Sequence, residues 1–170
     1  MESVFTTKNS NQTKKLGEVL AKEVLKSCPV KQALVFGLKG DLGGGKTTFL
    51  QGFARGLGLK DKITSPTFVI LKKFKVQKSK TEFPLTKKMK VKKEKKFSSP
   101  FGYFIHIDCY RIQKAKEISD LGFEEIISDP KNIVAVEWAE RIKNILPKNI
   151  IWIKFDFINK NTRKIVVKSR

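Results

Sequence analysis

The sequence has only two cysteines and one histidine, and it has no long apolar run. Its two cysteines, Cys28 and Cys109, are far apart and belong to no cluster with metal-ligand spacing. The sequence therefore predicts free thiols rather than a disulfide or a zinc site. No apolar run approaches the length of a transmembrane helix, and the first thirteen residues lack the apolar core of a signal peptide. We expect a soluble, cytoplasmic protein with no membrane association.

Arginine is scarce although the chain is strongly basic. Lysine and arginine total 36 against 16 acidic residues, a formal net charge of +20, yet arginine occurs only at positions 55, 111, 141, 163 and 170. Clustered cations can neutralise nucleic-acid phosphates and release counterions, which favours an RNA-binding interpretation. A solvated surface whose lysines reflect an AT-rich genome explains the same composition, because net charge alone defines no site. The composition leaves both interpretations open.

Half of the excess charge lies in one segment. Between positions 72 and 96, twelve lysines accompany only two glutamates, a net charge of +10. Apolar stretches at 68–71 and 101–107 flank it and have the composition of strands. The segment is therefore predicted to be a long hairpin extension or a partly mobile loop. It serves either as an electrostatic arm for RNA or an acidic partner, or it is a tolerated surface insertion.

The most informative motif is a phosphate-binding loop. Residues 40–47 read GDLGGGKT and match the complete G-x-x-x-x-G-K-[ST] pattern. An apolar, strand-like run precedes the loop, and a helical pattern follows it at Phe49, Leu50, Phe53, Ala54 and Leu57. Glycines let backbone N–H groups point at phosphates, Lys46 can reach the β- and γ-phosphates, and the Thr47 hydroxyl usually ligates Mg²⁺. The sequence predicts a nucleoside triphosphate site.

Two apolar strands end in carboxylates. Residues 104–111 read FIHIDCYR, and strict alternation places His106, Asp108 and Tyr110 on one face. Residues 133–138 read IVAVEW and end in Glu137 before the tryptophan. Such acids hold Mg²⁺ through water or orient the attacking water in P-loop enzymes, and the sequence leaves open how Asp108 and Glu137 divide these roles. His106, the single histidine, is predicted to support the site rather than to catalyse.

The order of the predicted elements indicates an α/β protein with a P-loop NTPase fold. Strands alternate with helices, which favours a mostly parallel sheet flanked by helices. Residues 150–157 and 163–168 are β-rich and predict an antiparallel C-terminal hairpin at one sheet edge. We expect one domain over residues 1–170 with the lysine-rich insertion at about 75–98. The nucleotide is expected at the carboxyl ends of the strands.

Five motifs follow one another along the chain: GDLGGGKTT at 40–48, TSPTF at 64–68, HIDCYR at 106–111, LGFEE at 121–125 and VEWAER at 136–141. In this order they resemble the TsaE family, the bacterial ATPase of tRNA threonylcarbamoyladenosine synthesis. The resemblance implies a P-loop ATPase that uses ATP and Mg²⁺. It also implies partners, the TsaD and TsaB proteins, which transfer a threonylcarbamoyl group to the adenosine next to the anticodon of tRNA. The tRNA would be reached through this complex, with direct contact by the lysine-rich insertion as an additional option.

The resemblance also assigns roles to residues of this chain. Lys46 and Asp108 would be catalytic, with Asp108 activating water, while Thr47 and Glu137 would hold Mg²⁺. Residues 64–67 would form a switch-like loop. The nucleotide-binding residues would be Gly40, Asp41, Leu42, Gly43, Gly44, Gly45, Lys46, Thr47, Thr48 and Trp138. The Trp138 indole would report nucleotide binding by its fluorescence.

Two alternatives from other classes stay open. A small-molecule P-loop kinase would share the phosphate-binding loop, but it should carry an arginine-bearing lid, and the few arginines here form no cluster. A lysine-driven RNA-binding module without catalysis would explain the charge without needing Asp108 or Glu137.

Overall fold

The computed structural model describes residues 1–27, 31–60, 63, 70–76 and 100–169. Within these residues the strands form one sheet of seven. The strands are β1 (Glu2–Thr7), β2 (Leu34–Gly40), β3 (Leu71–Lys75), β4 (Tyr103–Asp108), β5 (Asn132–Glu137), β6 (Ile151–Phe157) and β7 (Arg163–Lys168). The helices are α1 (Ser10–Leu25), α2 (Lys46–Gly56), α3 (Lys116–Ser119) and α4 (Phe123–Ser128), with a 3₁₀ segment at Ala139–Ile145.

The sheet has a parallel centre and antiparallel edges. Its strand order is β1-β7-β6-β2-β5-β4-β3. Strands β6, β2, β5 and β4 run parallel, whereas β1 and β7 at one edge and β3 at the other run antiparallel to their neighbours. The predicted α/β class and the antiparallel C-terminal hairpin, which is β6 and β7, are confirmed. The apolar composition of the central strands fits this arrangement, since β5 is buried at every position, as a strand covered on both faces must be.

The two edge strands differ from the sequence prediction. Strand β1 is absent from that prediction because Thr7 alone is buried among its residues. Strand β3 begins at Leu71, the last residue of the apolar stretch at 68–71, and continues through lysines to Lys75, while residues 68 and 69 lie outside the described ranges. One of them, Lys73, places its Nζ atom 4.0 Å from the centroid of the Tyr103 ring. Lysines suit an edge strand because their charge discourages pairing with another chain.

Several predicted features lie outside the described residues. They are Cys28, the switch-like loop at 64–67 and nearly all of the lysine-rich insertion, from residue 77 onward. The other cysteine, Cys109, is free and buried. Among the helices of the described residues, none combines the length and the apolar composition that a membrane span requires.

Helices pack on both faces of the sheet. Helices α1 and α2 cover one face, and α3, α4 and the 3₁₀ segment cover the other. Beneath α2, the Phe53 ring lies 5.2 Å from that of Phe36 on β2 and 5.7 Å from that of Phe104 on β4, measured between centroids. Buried aromatic rings contribute large apolar areas. This packing fixes α2, whose first turn carries Lys46 and Thr47, against the strands that form the site.

Helices α1 and α2 approach each other closely through glycines. A β-carbon on Gly17 of α1 would overlap the carbonyl oxygen of Phe49 on α2. A β-carbon on Gly52 of α2 would overlap the carbonyl oxygen of Lys14 on α1. Glycine weakens an isolated helix, so packing rather than helix propensity explains its presence at these positions.

We expect Gly52→Ala to lower the free energy of unfolding by about 2 kcal/mol or more, because overpacking outweighs the helix propensity gained by alanine. Urea denaturation measures this difference. Gly102→Ala is the matched control, since its β-carbon would lie 3.9 Å from the nearest atom, Cβ of Lys131. The control should change the free energy by less than about 0.5 kcal/mol. Equal stability of Gly52→Ala and the wild type would contradict the close approach of the two helices.

Candidate nucleotide-binding site

The phosphate-binding loop joins the end of β2 to the start of α2. Gly40, Gly43 and Gly45 have φ angles of 135°, 73° and 100°. Residues that carry a β-carbon are strained at positive φ angles of this size, whereas glycine adopts them readily. A β-carbon on Gly40 would also overlap the carbonyl oxygen of Phe155 on the neighbouring strand β6. These glycines therefore allow a tight loop conformation that residues with side chains could not adopt without strain.

The tip of the loop is closed by its own backbone. The N–H of Gly44 donates a hydrogen bond of 3.0 Å to the carbonyl of Asp41. Leu42, between them, is 75% exposed and contributes its backbone rather than a buried side chain. Thr48 follows Thr47 in the first turn of α2. The predicted loop residues thus form one continuous structure around the start of this helix.

Lys46 is buried at the centre of the loop. Its ammonium donates to the carbonyl oxygens of Gly40 at 2.6 Å and Asp41 at 2.9 Å, and it lies 3.8 Å from the centroid of the Trp138 ring. Burial lowers the pKa of Lys46, and the nearby carboxylates oppose this shift. The ammonium is held by carbonyls of its own loop, which phosphate oxygens could replace as partners.

Thr47, Glu137 and His106 form a hydrogen-bonded chain beside this lysine. The Thr47 hydroxyl lies 3.1 Å from Oε1 and 2.9 Å from Oε2 of Glu137 and donates to this carboxylate. Nε2 of His106 lies 2.9 Å from Oε1 of the same carboxylate. Because a carboxylate only accepts, His106 carries a proton on Nε2. Glu137 and His106 are almost completely inaccessible to solvent, so the carboxylate is held in one orientation.

Asp108 lies next to Glu137 at the ends of adjacent parallel strands. The two residues are register partners of β4 and β5. Oδ1 of Asp108 accepts a hydrogen bond of 3.0 Å from the N–H of Tyr110, which orients this largely buried carboxylate. Strand β4 ends at Asp108, so Tyr110 lies in the following turn and not on the strand face that alternation predicts. The structure therefore brings the two predicted acids together.

Trp138 is held in an unusual backbone conformation directly after Glu137. Its φ of 58° is the one positive φ of a non-glycine residue within the part of the chain that the structure describes. Such a conformation costs of order 1–3 kcal/mol and often occurs at functional sites. The indole contacts the Lys46 ammonium and also the Tyr110 ring, whose centroid is 5.2 Å away. Arg141 also faces this ring, with its guanidinium carbon 5.8 Å from the centroid.

Cys109, next to Asp108, has no reactive thiol. Burial raises the pKa of this thiol to about 12, and the negative charge of Asp108 adds to the shift. Because the thiolate is the nucleophilic form, Cys109 is a packing residue of the second face of the sheet.

One residue beside the loop was not predicted from the sequence. Arg163, the first residue of β7, donates from Nη2 to the carbonyl oxygen of Gly43 at 3.1 Å. In the sequence it is a single arginine in a hairpin, far from the loop, and no local pattern indicates the contact. Strand pairing across the sheet brings it there, since β7 follows β6 in the sheet and β6 adjoins β2.

The donor set beside the loop fits Mg²⁺. Thr47 and Glu137 offer a hydroxyl and a carboxylate, the oxygen ligands that this cation prefers. Within the described ranges, no group of three or more His, Cys, Asp or Glu side chains could hold a metal by itself. Magnesium in nucleotide sites is commonly bound by one or two protein oxygens together with substrate phosphates and water. The arrangement suits a cation that is bound together with a nucleotide.

Comparisons with known proteins agree on one family. The family described as "Threonylcarbamoyl adenosine biosynthesis protein TsaE" matches residues 7–165. The chain is 31% identical over 156 residues to the tRNA threonylcarbamoyladenosine biosynthesis protein TsaE of Rickettsia felis, covering 91% of this chain and 73% of that protein. It is 31% identical over 161 residues to the protein of the same name from Bacillus subtilis, covering 95% and 82%.

A solved structure shares the fold. The crystal structure of YdiB from Bacillus subtilis matches with a TM-score of 0.68 and 26% identity, covering 99% of this chain and 86% of that chain. The family match extends from the last residue of β1 into β7 and so includes the phosphate-binding loop and both strand ends.

Proposed function

Because this chain belongs to the TsaE family of tRNA threonylcarbamoyladenosine biosynthesis, we propose that it binds and hydrolyses Mg-ATP. Hydrolysis would support threonylcarbamoyl transfer to the tRNA adenosine next to the anticodon, in the cytoplasm and together with TsaD and TsaB. The observation that carries the proposal is the contact of Thr47 with the buried Glu137 carboxylate beside Lys46. A hydroxyl, a carboxylate and an ammonium at the start of a helix are what a magnesium-bound triphosphate needs.

Lys46 and the loop backbone would bind the phosphates. The ammonium would exchange the carbonyls of Gly40 and Asp41 for oxygens of the β- and γ-phosphates. Its attraction to them would be strong because the ammonium is buried, and this burial also lowers the pKa of Lys46. The positive N-terminal end of α2, an 11-residue helix, adds to this attraction.

Thr47 and Glu137 would hold Mg²⁺. The bound cation would neutralise charge on the β- and γ-phosphate oxygens. His106 contributes by fixing Glu137, since its Nε2 proton occupies one side of Oε1 and leaves the carboxylate little freedom to rotate. Residues around a metal ligand commonly position it in this way.

Asp108 would orient the attacking water and accept its proton. The water oxygen would form a bond to the γ-phosphorus, while the bond from this phosphorus to the bridging oxygen breaks and ADP leaves. Asp108 suits this role because the N–H of Tyr110 orients its carboxylate at the strand end beside Glu137. The proposal thus gives the two acids different roles, water for Asp108 and metal for Glu137.

The partner requirement gives the first test. ATP hydrolysis would be measured for the protein alone and with TsaD and TsaB, and we expect activity that depends on both partners. Asp108→Asn should lower kcat by about 100-fold because the amide cannot accept the proton. It should leave ATP affinity nearly unchanged, since its oxygen can still accept from Tyr110. The control Asp120→Asn changes an exposed carboxylate paired with Lys116 and should behave like the wild type.

Three results, from this experiment and from assays of phosphoryl transfer and tRNA binding, would contradict the proposal. ATP binding without hydrolysis in any combination of partners would indicate a nucleotide-sensing protein. Phosphoryl transfer to small metabolites would indicate a kinase. Binding of tRNA that survives loss of Lys46 but requires the lysine-rich insertion, with no ATP hydrolysis, would indicate an RNA-binding module.

A further inference from the structure

One region of the sheet lacks a helical layer on one of its two faces. The apolar cluster beneath α3, α4 and the 3₁₀ segment includes residues of β2, β4 and β5. Among the described residues, it includes Trp152 alone from β6 and none from β7 or β1. The side of β6, β7 and β1 that points away from α1 and α2 is therefore open in this part of the chain. The hydrolysis proposed above does not use it.

Alternation of side chains identifies the residues of this open side. Ile153 and Phe155 of β6 and Ile165 of β7 belong to the core under α1 and α2, so their sequence neighbours point the opposite way. The same pattern holds in β2, and in β1 Thr7 contacts Thr13 of α1. The charged side chains on the open side are those of Glu2, Lys39, Lys154, Asp156, Lys164 and Lys168. We call this surface the lysine face.

The strand register brings the lysines of this face together. Lys39 and Lys154 are partners across β2 and β6. Lys164 and Lys168 lie on β7, the next strand, one on each side of that pair. Neighbouring strands are about 4.8 Å apart, and residues on one face of a strand follow each other at about 7 Å. The α-carbons of these lysines therefore lie within about 14 Å of one another.

The carboxylates of the lysine face form weak ion pairs with two of its lysines. Nζ of Lys154 lies 2.8 Å from Oδ1 of Asp156, and Nζ of Lys168 lies 3.6 Å from Oε2 of Glu2. The side chains of both lysines are more than half exposed. Because exposed ion pairs contribute little energy, a phosphate group can compete for each ammonium.

The other two lysines of the face, Lys39 and Lys164, have no carboxylate partner within the described ranges. Lys39 instead places its Nζ atom 5.5 Å from the centroid of the half-buried Trp152 ring. The lysine face therefore has a net positive charge, because its ammonium groups outnumber its carboxylates.

The composition of the lysine face favours a polyanion over a protein as its partner. Interfaces between proteins are depleted in lysine and enriched in aromatic residues, whereas the apolar side chains among these lysines are mainly those of Val4 and Val166. Lysines neutralise phosphates and release counterions, and the open face of a sheet is a common RNA-binding surface. Since the chain belongs to a family of tRNA threonylcarbamoyladenosine biosynthesis, RNA is the polyanion that its pathway supplies.

We propose that the lysine face binds the backbone of RNA, with Lys39, Lys154, Lys164 and Lys168 contacting phosphates. The inference goes beyond the proposed function, because this binding needs neither ATP nor its hydrolysis. It also differs from contact by the lysine-rich insertion, since all of these lysines belong to strands of the sheet. The affinity should depend steeply on salt and little on base sequence.

The test compares two pairs of substitutions that change the net charge equally. Binding of an unmodified tRNA transcript to the full-length protein would be measured by fluorescence anisotropy between about 50 and 200 mM KCl. Lys164→Gln combined with Lys168→Gln should weaken binding by about tenfold and reduce the slope of log Kd against log salt by about 2. The control, Lys22→Gln combined with Lys116→Gln, neutralises exposed lysines of α1 and α3 and should change Kd by less than about twofold.

Two further measurements separate this inference from the proposed function. Thermal melting would establish that both double variants are folded. ATP hydrolysis with TsaD and TsaB, measured without tRNA, should be the same for both double variants and the wild type, since neither pair lies in the nucleotide site. If the wild type hydrolyses no ATP, the proposed function fails, while the anisotropy experiment still decides whether the lysine face binds RNA.

Three results would overturn the inference. If both double variants weaken tRNA binding equally, net charge attracts the RNA and the lysine face has no special part in it. If neither variant changes tRNA binding, the RNA does not use this face. If the lysine-face variant weakens binding of TsaD or TsaB while tRNA binding is unchanged, the face is a protein interface.

Discussion

Glu137→Gln is expected to reduce Mg²⁺-dependent ATP hydrolysis by about 1000-fold, because the charge that holds the cation is lost. The side-chain amide has nearly the same shape as the carboxylate. Its oxygen, placed where Oε1 lies, can still accept from the Thr47 hydroxyl and from Nε2 of His106. The substitution thus removes charge while retaining the hydrogen bonds.

The same variant is expected to stay within about 1 kcal/mol of the wild type in its free energy of unfolding without nucleotide. Glu137 is 2% exposed, and among the described residues its hydrogen-bond partners are the side chains of Thr47 and His106. A carboxylate in such surroundings loses solvation that two hydrogen bonds do not fully replace, so neutralising it relieves a burial penalty. At the same time the buried Lys46 ammonium loses the carboxylate charge that supports it most, which acts in the opposite direction.

Two measurements check this pair of effects. Steady-state hydrolysis with TsaD and TsaB, at increasing Mg²⁺ concentration, gives the activity, and urea denaturation gives the stability. Glu140→Gln is the matched control, because it neutralises a neighbouring exposed carboxylate that also lies near Lys46. If Glu137→Gln keeps activity within tenfold of the wild type, or is clearly less stable, the carboxylate is a structural partner of His106 rather than a metal ligand.

Local patterns predicted the loop and the strand ends. The phosphate-binding motif needs only consecutive residues between a strand and a helix, and β2 and α2 lie where the pattern indicates. Asp108 and Glu137 could be placed together because parallel neighbouring strands end at the same edge of a sheet. Each of the two apolar runs ends in an acid, so the two carboxylates are expected at the same edge of the sheet. The sequence could not predict the hydrogen bond between His106 and Glu137, because this contact depends on the register between β4 and β5.

Features that depend on distant contacts were not predictable. Strand β1 has one buried residue, so its pairing with β7 leaves little hydrophobic signal. Arg163 reaches Gly43 across 120 positions of sequence, and only because a single strand, β6, lies between β7 and β2 in the sheet. The left-handed conformation of Trp138 has no local signal, since tryptophan rarely adopts it.

Tertiary structure places one side chain on each side of the phosphate-binding loop: Trp138, whose role the family resemblance implied, and Arg163, which was not predicted. Trp138 stacks beside Lys46 on the side of the acids, and Arg163 contacts Gly43 on the other side. Between them runs the loop that the sequence did predict. The motif therefore identifies where the triphosphate is expected, while tertiary structure supplies the side chains at its two ends.

Lys46→Met is expected to lower ATP affinity by at least about 100-fold and hydrolysis by about 1000-fold, since the phosphates lose their buried cation. Methionine has similar length and can keep contact with the Trp138 ring through its sulfur. The ammonium is buried, which lowers the pKa of Lys46, so its removal relieves a burial penalty. Loss of its bonds to the carbonyls of Gly40 and Asp41 acts in the opposite direction. The stability should therefore stay within about 1 kcal/mol of the wild type.

Trp138 provides a readout for this variant that does not depend on catalysis. The ammonium lies 3.8 Å from the centroid of its ring, so Lys46→Met should change the tryptophan emission even without nucleotide. Addition of ATP should then cause no further change, whereas the wild type should respond. Lys39→Met is the control, because this lysine of β2 lies 5.5 Å from the ring of the other tryptophan, Trp152. If Lys46→Met binds ATP within tenfold of the wild type, the triphosphate does not use the loop, and the assignment of Lys46 is wrong.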